Sequence, residues 1–305
     1  MELDGYLNVL KPPGWTSHDV VARLRGVTGT RRIGHTGTLD PAAIGVLPVA
    51  LGRATRTVSS PTWDDKEYLA DIEFGVATDT DDAEGQAIAT GDATALDCAT
   101  VRAFLPSFVG RISQRPPAYS AVHVRGERAY HRARRGALDL PPERLVQIDA
   151  ISVEDWRPPT LSIRITCHSG TYIRSIARDL GAMAGCPAHL AALVRLRVGP
   201  FGLGSTLDLA GAAAVAAENT WEQVIWPLDV ATRHLGAIVV PAARTADMEH
   251  GKAWSMLLDF PDRTIHDGET ASAYTANGAI LGLVTGRNGW WQPARGLKPE
   301  SVTVP

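Results

Sequence analysis

Gly34-His35-Thr36-Gly37-Thr38-Leu39-Asp40-Pro41 is the stretch on which the reading of this chain turns. Asp40 is the single carboxylate between Asp19 and Asp64, and Arg23, Arg25, Arg31, Arg32, Arg53 and Arg56 flank it in sequence. A lone acid in a basic neighbourhood suits a site that holds a polyanion and does chemistry on it with a carboxylate. Gly34 and Gly37 permit backbone conformations and close approaches that a β-carbon forbids. Pro41 steers Asp40 away from the α region. The segment is therefore a shaped loop. Composition alone also fits a surface turn with one solvated aspartate.

Upstream, Leu7-Asn8-Val9-Leu10 is a short apolar strand, broken by Lys11-Pro12-Pro13-Gly14. Thr16 and Asp19 have the spacing of a capping box. The helix they open buries Val20, Val21, Leu24 and Val27 and stops at Gly29. Downstream, Tyr68, Ala70, Ile72 and Phe74 alternate with Leu69, Asp71 and Glu73, the period of a half-buried strand. Tyr68 stands at its mouth, on the apolar face. The acidic run Asp79 to Glu84 reads as a solvated loop, since it lacks the calcium-loop pattern.

Val101, Phe104, Leu105 and Phe108 have helical spacing and end at Gly110. From Arg111 to Arg135 there are seven arginines against one acid, Glu127, with Tyr119 beside Pro116 and Pro117. Arginine grips phosphates and stacks on bases, and tyrosine stacks on any base. A solvated helix face is the competing reading for Arg128 to Arg135. Leu161 to Cys167 alternates as a strand. Ser169-Gly170 turns it into a helix carrying Ile173, Ile176, Ala177 and Leu180, with Arg174 at its start. Ala210 to Ala217 is helical, and Trp226-Pro227-Leu228-Asp229 closes this region. From about Gly236 the texture changes to short strands, Ile238 to Val240, Ala279 to Val284 and Ser301 to Val304, between glycines. These fit a small β-barrel.

The 305 residues, 45% hydrophobic and 21% charged, are those of an ordinary globular protein of about two domains. No apolar run approaches the ~18 residues that span a bilayer, and Met1-Glu2-Leu3-Asp4 lacks a signal-peptide pattern. The cytosol is the expectation. Cys98, Cys167 and Cys186 are too scattered for a disulfide framework or a zinc site. Phosphate-loop and dinucleotide motifs are absent. The net charge of −3 does not advertise nucleic acid, but the local arginine stripe does.

Five stretches share one resemblance. Gly34 to Pro41, continued by Gly45-Val46-Leu47-Pro48, resembles the catalytic motif of the TruB family of tRNA pseudouridine synthases, with Ala42 and Ile44 where that family usually has Leu and Thr. Lys11-Pro12 with Gly14, Thr16 and Ser17 resembles the way the family begins. Asp65-Lys66-Glu67-Tyr68, with Gly75 and Thr78 to Asp81, Ala83 and Gly85, is similar to its next motif. Gly170-Thr171-Tyr172-Ile173-Arg174-Ser175 is similar to the third, and Ala188-His189-Leu190 through Leu193 to Arg197 to the last.

The resemblance implies an α+β pseudouridine synthase fold, its central sheet mostly antiparallel and flanked by helices, plus a small C-terminal PUA-like β-barrel. It places a catalytic domain at residues 1–235, with an RNA-gripping insertion at about 111–150, and a PUA-like domain at 236–305. The implied activity is isomerisation of uridine to pseudouridine at position 55 in the T loop of tRNA, by base flipping and a nucleophilic aspartate. Asp40 is then the nucleophile, Tyr68 packs on the uracil, and Arg174 pairs with Asp40. His35 fills the stack that the flipped base leaves, and Lys11 braces the loop. Lys11, Tyr172, Leu193 and Arg195 join His35 as expected substrate-binding residues, and Tyr119, Arg128, Arg132 and Arg135 as RNA contacts. No group leaves and no net redox occurs, so neither cofactor nor metal is expected. The partner is the T arm of tRNA, with no membrane, and the chain is expected to be a monomer. Guide-RNA-dependent relatives carry terminal extensions, which a start so close to Lys11 disfavours. Other readings are a tRNA-folding chaperone without modification activity and a metal-independent hydrolase using Asp40.

Overall fold

The structure, a computed structural model, describes residues 3–120, 122–124, 127–128, 141–250, 252–255 and 265–294. Arg132 and Arg135, and the strand expected at Ser301 to Val304, lie outside the described residues, as does the side chain of Arg128.

One large sheet carries the expected site. In chain order its strands are β1 (Gly5–Lys11), β2 (Ile33–His35), β3 (Ile44–Leu51), β4 (Lys66–Phe74), β5 (Gly110–Gln114), β6 (Arg144–Arg157), β7 (Thr160–Cys167), β8 (Ala188–Val198) and β9 (Phe201–Gly202). The spatial order is β1-β3-β8-β4-β7-β6-β5, with β2 on β3 and β9 on β8. Every pairing is antiparallel except β8 with β3. The sheet is thus mostly antiparallel, as the sequence implied.

Helix α1 (Ser17–Thr28) begins at a complete capping box. Thr16 accepts from the Asp19 amide and Asp19 accepts from the Thr16 amide. Gly29 ends it in the left-handed conformation at φ 66°. Short helix α2 (Cys98–Phe104) runs into a 3-10 turn that ends before Gly110. Helix α3 (Ile173–Met183) lays Ile173, Ile176, Ala177 and Leu180 against Ala70, Ile72, Ile163 and Ile165 of β4 and β7. Each of the isoleucines and the leucine, fully buried, contributes roughly 1.5–3 kcal/mol. Helix α4 (Leu209–Glu218) covers the other end with α1, over Leu7, Val9 and Val49.

The alternation read from Tyr68 to Phe74 is the alternation seen: each residue of that set is buried and each residue between is half-buried. A second sheet follows, built from β10 (Gly236–Val239), β11 (Trp254–Ser255), β12 (Thr270–Tyr274), β13 (Ile280–Arg287) and β14 (Trp290–Pro293). Its order is β10-β12-β13-β14-β11. Among the described residues, which leave out the strand expected at Ser301 to Val304, this sheet is open, with β10 and β11 as its edges. Trp291, Ala271, Ala273 and Val284 form its core. Among the described residues no helix is long and apolar enough to cross a membrane.

Candidate active site

The loop from Thr36 to Ala43 leaves β2, passes Asp40 and enters β3. A loop this polar holds one shape only if its backbone groups find partners. They find them in side chains from three other segments. Ser17, at the start of α1, accepts from the Leu39 amide at 2.8 Å and donates to the Leu39 carbonyl at 3.2 Å. Lys11 donates to the carbonyls of Pro12, Pro41 and Ala43 at 2.8, 2.9 and 2.6 Å. Arg195 donates to Gly37 at 3.0 Å, to Thr38 at 3.4 Å and to Val46 at 2.7 Å. Lys11 is fully buried and Arg195 nearly so. Both were expected among the substrate-binding residues, Lys11 also as the brace of the loop, and both donate to backbone carbonyls in and beside it. Burial lowers the Lys11 pKa to about 8 against the pull of Asp40.

Sheet register delivers Tyr68. It pairs with Arg195 across β4 and β8, and Arg195 pairs with Gly45 across β8 and β3. Gly45 sits at φ 115°, and a β-carbon there would lie 2.2 Å from the Arg195 carbonyl. Glycine is what lets the catalytic loop enter the sheet beside Arg195. Tyr68 is buried with Leu39 and Ala43, and half-buried Leu193 packs on the same cluster. Burial raises the Tyr68 phenol pKa, opposed by the Arg195 guanidinium beside its hydroxyl.

The start of α3 delivers Arg174. Its Nε lies 3.0 Å from Asp40 Oδ2, and its Nη2 donates to Oδ1 at 3.3 Å. The same guanidinium donates to the carbonyls of Thr80 and Tyr119, both at 3.0 Å, and lies 3.3 Å from Asp82 Oδ2. Its side chain is 6% exposed, while that of Asp40 is 39% exposed. The carboxylate thus faces an open mouth with its cation behind it. Desolvation by the surrounding chain raises the Asp40 pKa, Arg174 opposes the rise, and Asp82 adds to it.

Asp82 corrects the reading of residues 79–84 as solvated. Asp81 pairs with Arg178 at 2.9 Å and Asp82 with Arg174, each with a side chain 14% exposed. Asp81 has φ 61°, and its carbonyl accepts from Leu190 of β8. The run turns inward because two cations on one face of α3 need acceptors. Its sequence signals were the abundance of acid and the motif resemblance of Thr78 to Asp81.

The remaining candidates lie on the segments that flank these residues. His35 is half-buried on β2, and among the described residues its Nδ1 has no hydrogen-bond partner. Burial, then Arg195 and His18, lower its pKa, so the ring is neutral at pH 7. Tyr172 is held by a reciprocal pair with Gln114, 2.8 Å from its amide and 3.1 Å to its carbonyl. The Arg144 guanidinium lies 5.1 Å from the Tyr172 ring centre. Half-buried Tyr119 reaches the site through its carbonyl on Arg174. The structure thus brings Asp40, Arg174, Tyr68, Leu193, Arg195 and Lys11 together, with Tyr119 and Tyr172 anchored beside them.

Known proteins match this arrangement. The profile described as TruB family pseudouridylate synthase (N terminal domain) matches residues 25–173. That described as tRNA pseudouridylate synthase B C-terminal domain matches residues 174–241. The tRNA pseudouridine synthase B of Gloeobacter violaceus is 54% identical over 217 residues, covering 70% of this chain and 74% of that protein. The protein of the same name from a Synechococcus strain is 41% identical over 288 residues, covering 93% and 94%. Among solved structures, a Cbf5-Nop10-Gar1 complex matches with a TM-score of 0.69 at 28% identity, covering 92% of this chain and 78% of that one. An H/ACA RNP bound to a substrate RNA containing 2'-deoxyuridine shares the fold, with a TM-score of 0.72 at 24% identity over 97% of this chain and 85% of that one. With Asp40, Tyr68 and Arg174 converging on one mouth and relatives this similar along most of its length, the chain belongs to the TruB family of pseudouridylate synthases.

Proposed function

We propose that this chain isomerises uridine to pseudouridine in tRNA, at position 55 of the T loop, without a cofactor. The observation that carries the reading is the open-mouthed Asp40 carboxylate held from behind by buried Arg174. The relatives named tRNA pseudouridine synthase B supply the substrate class.

Asp40 serves as the nucleophile, and it must be ionised to do so. Burial works against ionisation and Arg174 restores it, since a neighbouring cation favours the charged form. In the reaction the N1–C1′ bond breaks, the uracil turns, and a C5–C1′ bond forms. The C5 proton leaves to solvent and N1 gains one. Tyr68 packs against the base in the pocket. A uridine inside folded RNA has to be extruded to reach Asp40. Neutral His35 fills the place it leaves, as a flat ring of the right size.

Tyr119 and the arginine stretch, Arg128, Arg132 and Arg135 included, grip the T arm from an insertion at about 111–150. Residues 1–235 form the catalytic domain and 236–305 a PUA-like one. The enzyme works as a cytoplasmic monomer. The test is release of tritium from C5-labelled uridine in unmodified tRNA, with the product nucleotide mapped. Stoichiometric release with pseudouridine at position 55 is expected. Absence of release, or pseudouridine elsewhere, overturns the substrate assignment.

A further inference from the structure

Lys66 lies 6% exposed at the head of β4. Its ammonium donates to the Trp63 carbonyl at 2.5 Å, the Asp64 carbonyl at 3.3 Å and the Ser169 hydroxyl at 2.5 Å. All three acceptors are neutral. Its stem lies under the catalytic loop: a β-carbon on Gly37 would sit 3.7 Å from Lys66 Cε and 3.7 Å from Arg195 Nη1. A buried cation with no carboxylate in its own hydrogen-bond set is costly to keep. It touches three segments, and each delivers a site residue a few positions on. Gly37 leads to Asp40, Lys66 itself to Tyr68, and Ser169 to Tyr172 and Arg174.

We propose that Lys66 is a positioning residue for the reaction, holding the Ser169–Gly170 turn against the underside of the Gly37 loop so that Arg174 and Tyr68 meet Asp40 in register. This rests on the isomerase reading above. The argument is one of donor count. A protonated lysine has three N–H groups, and three acceptors surround this one. A neutral amine has two and presents a lone pair, which neither carbonyl can meet and which only the Ser169 hydroxyl can, by turning its own O–H toward it. Charged and titratable groups face it from every side: Arg195 from β8, Cys167 from β7, and Asp64 and Asp65 from its own approach. Burial dominates, and lowers its pKa to about 8. As pH rises through that value the proton leaves, and the link to Ser169 becomes a weaker bond between neutral groups.

The test uses the full chain and unmodified tRNA, with single-turnover rate and tRNA affinity measured separately. Lys66→Met fills similar volume without donors. It is expected to slow the chemical step at least tenfold while leaving affinity within about threefold, since positioning acts on the reacting geometry. Ser169 is exposed, so Ser169→Ala keeps the protein folded even where Lys66→Met does not. It is expected to slow the step several-fold at pH 7, and to add little to Lys66→Met. The parent-to-Ser169→Ala rate ratio should fall toward one as pH rises through about 8. Lys11, which titrates in the same range, cancels in that ratio. A parent that forms no pseudouridine refutes the isomerase reading. An active parent with a Ser169→Ala variant of equal rate, or a ratio independent of pH, refutes the role of Lys66.

Discussion

Arg174 approaches Asp40 from the closed side of the site, 3.0 Å from Nε to Oδ2 and 3.3 Å from Nη2 to Oδ1, and is far the more buried of the two. One guanidinium also ties down the Thr80 and Tyr119 carbonyls and faces Asp82. Two carboxylates therefore share one cation. Arg174 is held by three groups besides Asp40 and cannot follow it outward, so the pair has a fixed direction. A lysine, with a single point of charge, could not make the same set of contacts.

Asp40→Asn keeps the size of the side chain and removes its charge. Turnover is expected to fall on the order of a thousandfold or more, with tRNA affinity kept within about threefold. A slowed but saturable enzyme within tenfold of the parent would remove Asp40 from the nucleophile's role. The parent should show an acid limb above the ordinary carboxylate value of 3.8, because burial raises this pKa and the rate is lost as pH falls through it. Arg174→Met removes the opposing cation, so any residual activity should have its limb shifted further toward neutral pH.

Arg174→Lys is the finer test. It preserves charge but loses the planar fork, and is expected to cost roughly a hundredfold in single-turnover rate. Binding should change little, since the guanidinium is buried behind the carboxylate. A variant as fast as the parent would show that charge alone suffices and that the fork geometry does not matter.

Local features were the legible ones. The Thr16–Asp19 cap lies within four residues, and the Tyr68 to Phe74 alternation needs only the two-residue period of a strand. The motif wording around Asp40 and Arg174 pointed to a pairing that the structure contains. What stayed hidden depends on distant partners. Asp82 looks like any acid in a polar run until Arg174, far along the chain, turns it inward. Lys11 and Arg195 stood out only through the motif resemblance, and Lys66 was not singled out as a site residue, because their partners are mostly backbone carbonyls, which leave no mark in a sequence. Of the C-terminal strands only Gly236–Val239 and Ile280–Arg287 were legible, while Trp254–Ser255, Thr270–Tyr274 and Trp290–Pro293 were not, and whether a sheet closes depends on the pairing of its edges, which glycine-spaced apolar runs do not encode.

The arginine stretch makes a prediction about salt. Replacing Arg128, Arg132 and Arg135 together by Gln should weaken tRNA binding and flatten its dependence on ionic strength. For every phosphate that is no longer neutralised, the log–log slope should shrink by about 0.7 to 0.9. The measurement is tRNA affinity across a salt series for parent and triple variant. Parallel lines would mean that this stretch is a solvated face.

His35 separates shape from proton transfer. Its ring is half-buried and its pKa is lowered by burial and by Arg195, so it is neutral at pH 7. A neutral ring that fills a vacated stack acts by its outline, so His35→Phe should keep part of the activity and His35→Ala should lose more. Proton transfer predicts instead equal losses, with a rate limb at or below the usual histidine value of about 6.5 that vanishes in both variants. Single-turnover rates against pH for the parent and both variants decide between them. The same series addresses the chaperone reading, through refolding of misfolded tRNA by Asp40→Asn. If refolding survives there with His35 intact but fails in His35→Ala, the ring's contact with RNA matters even without chemistry. If refolding is indifferent to His35, the ring acts only once the target base has left its stack.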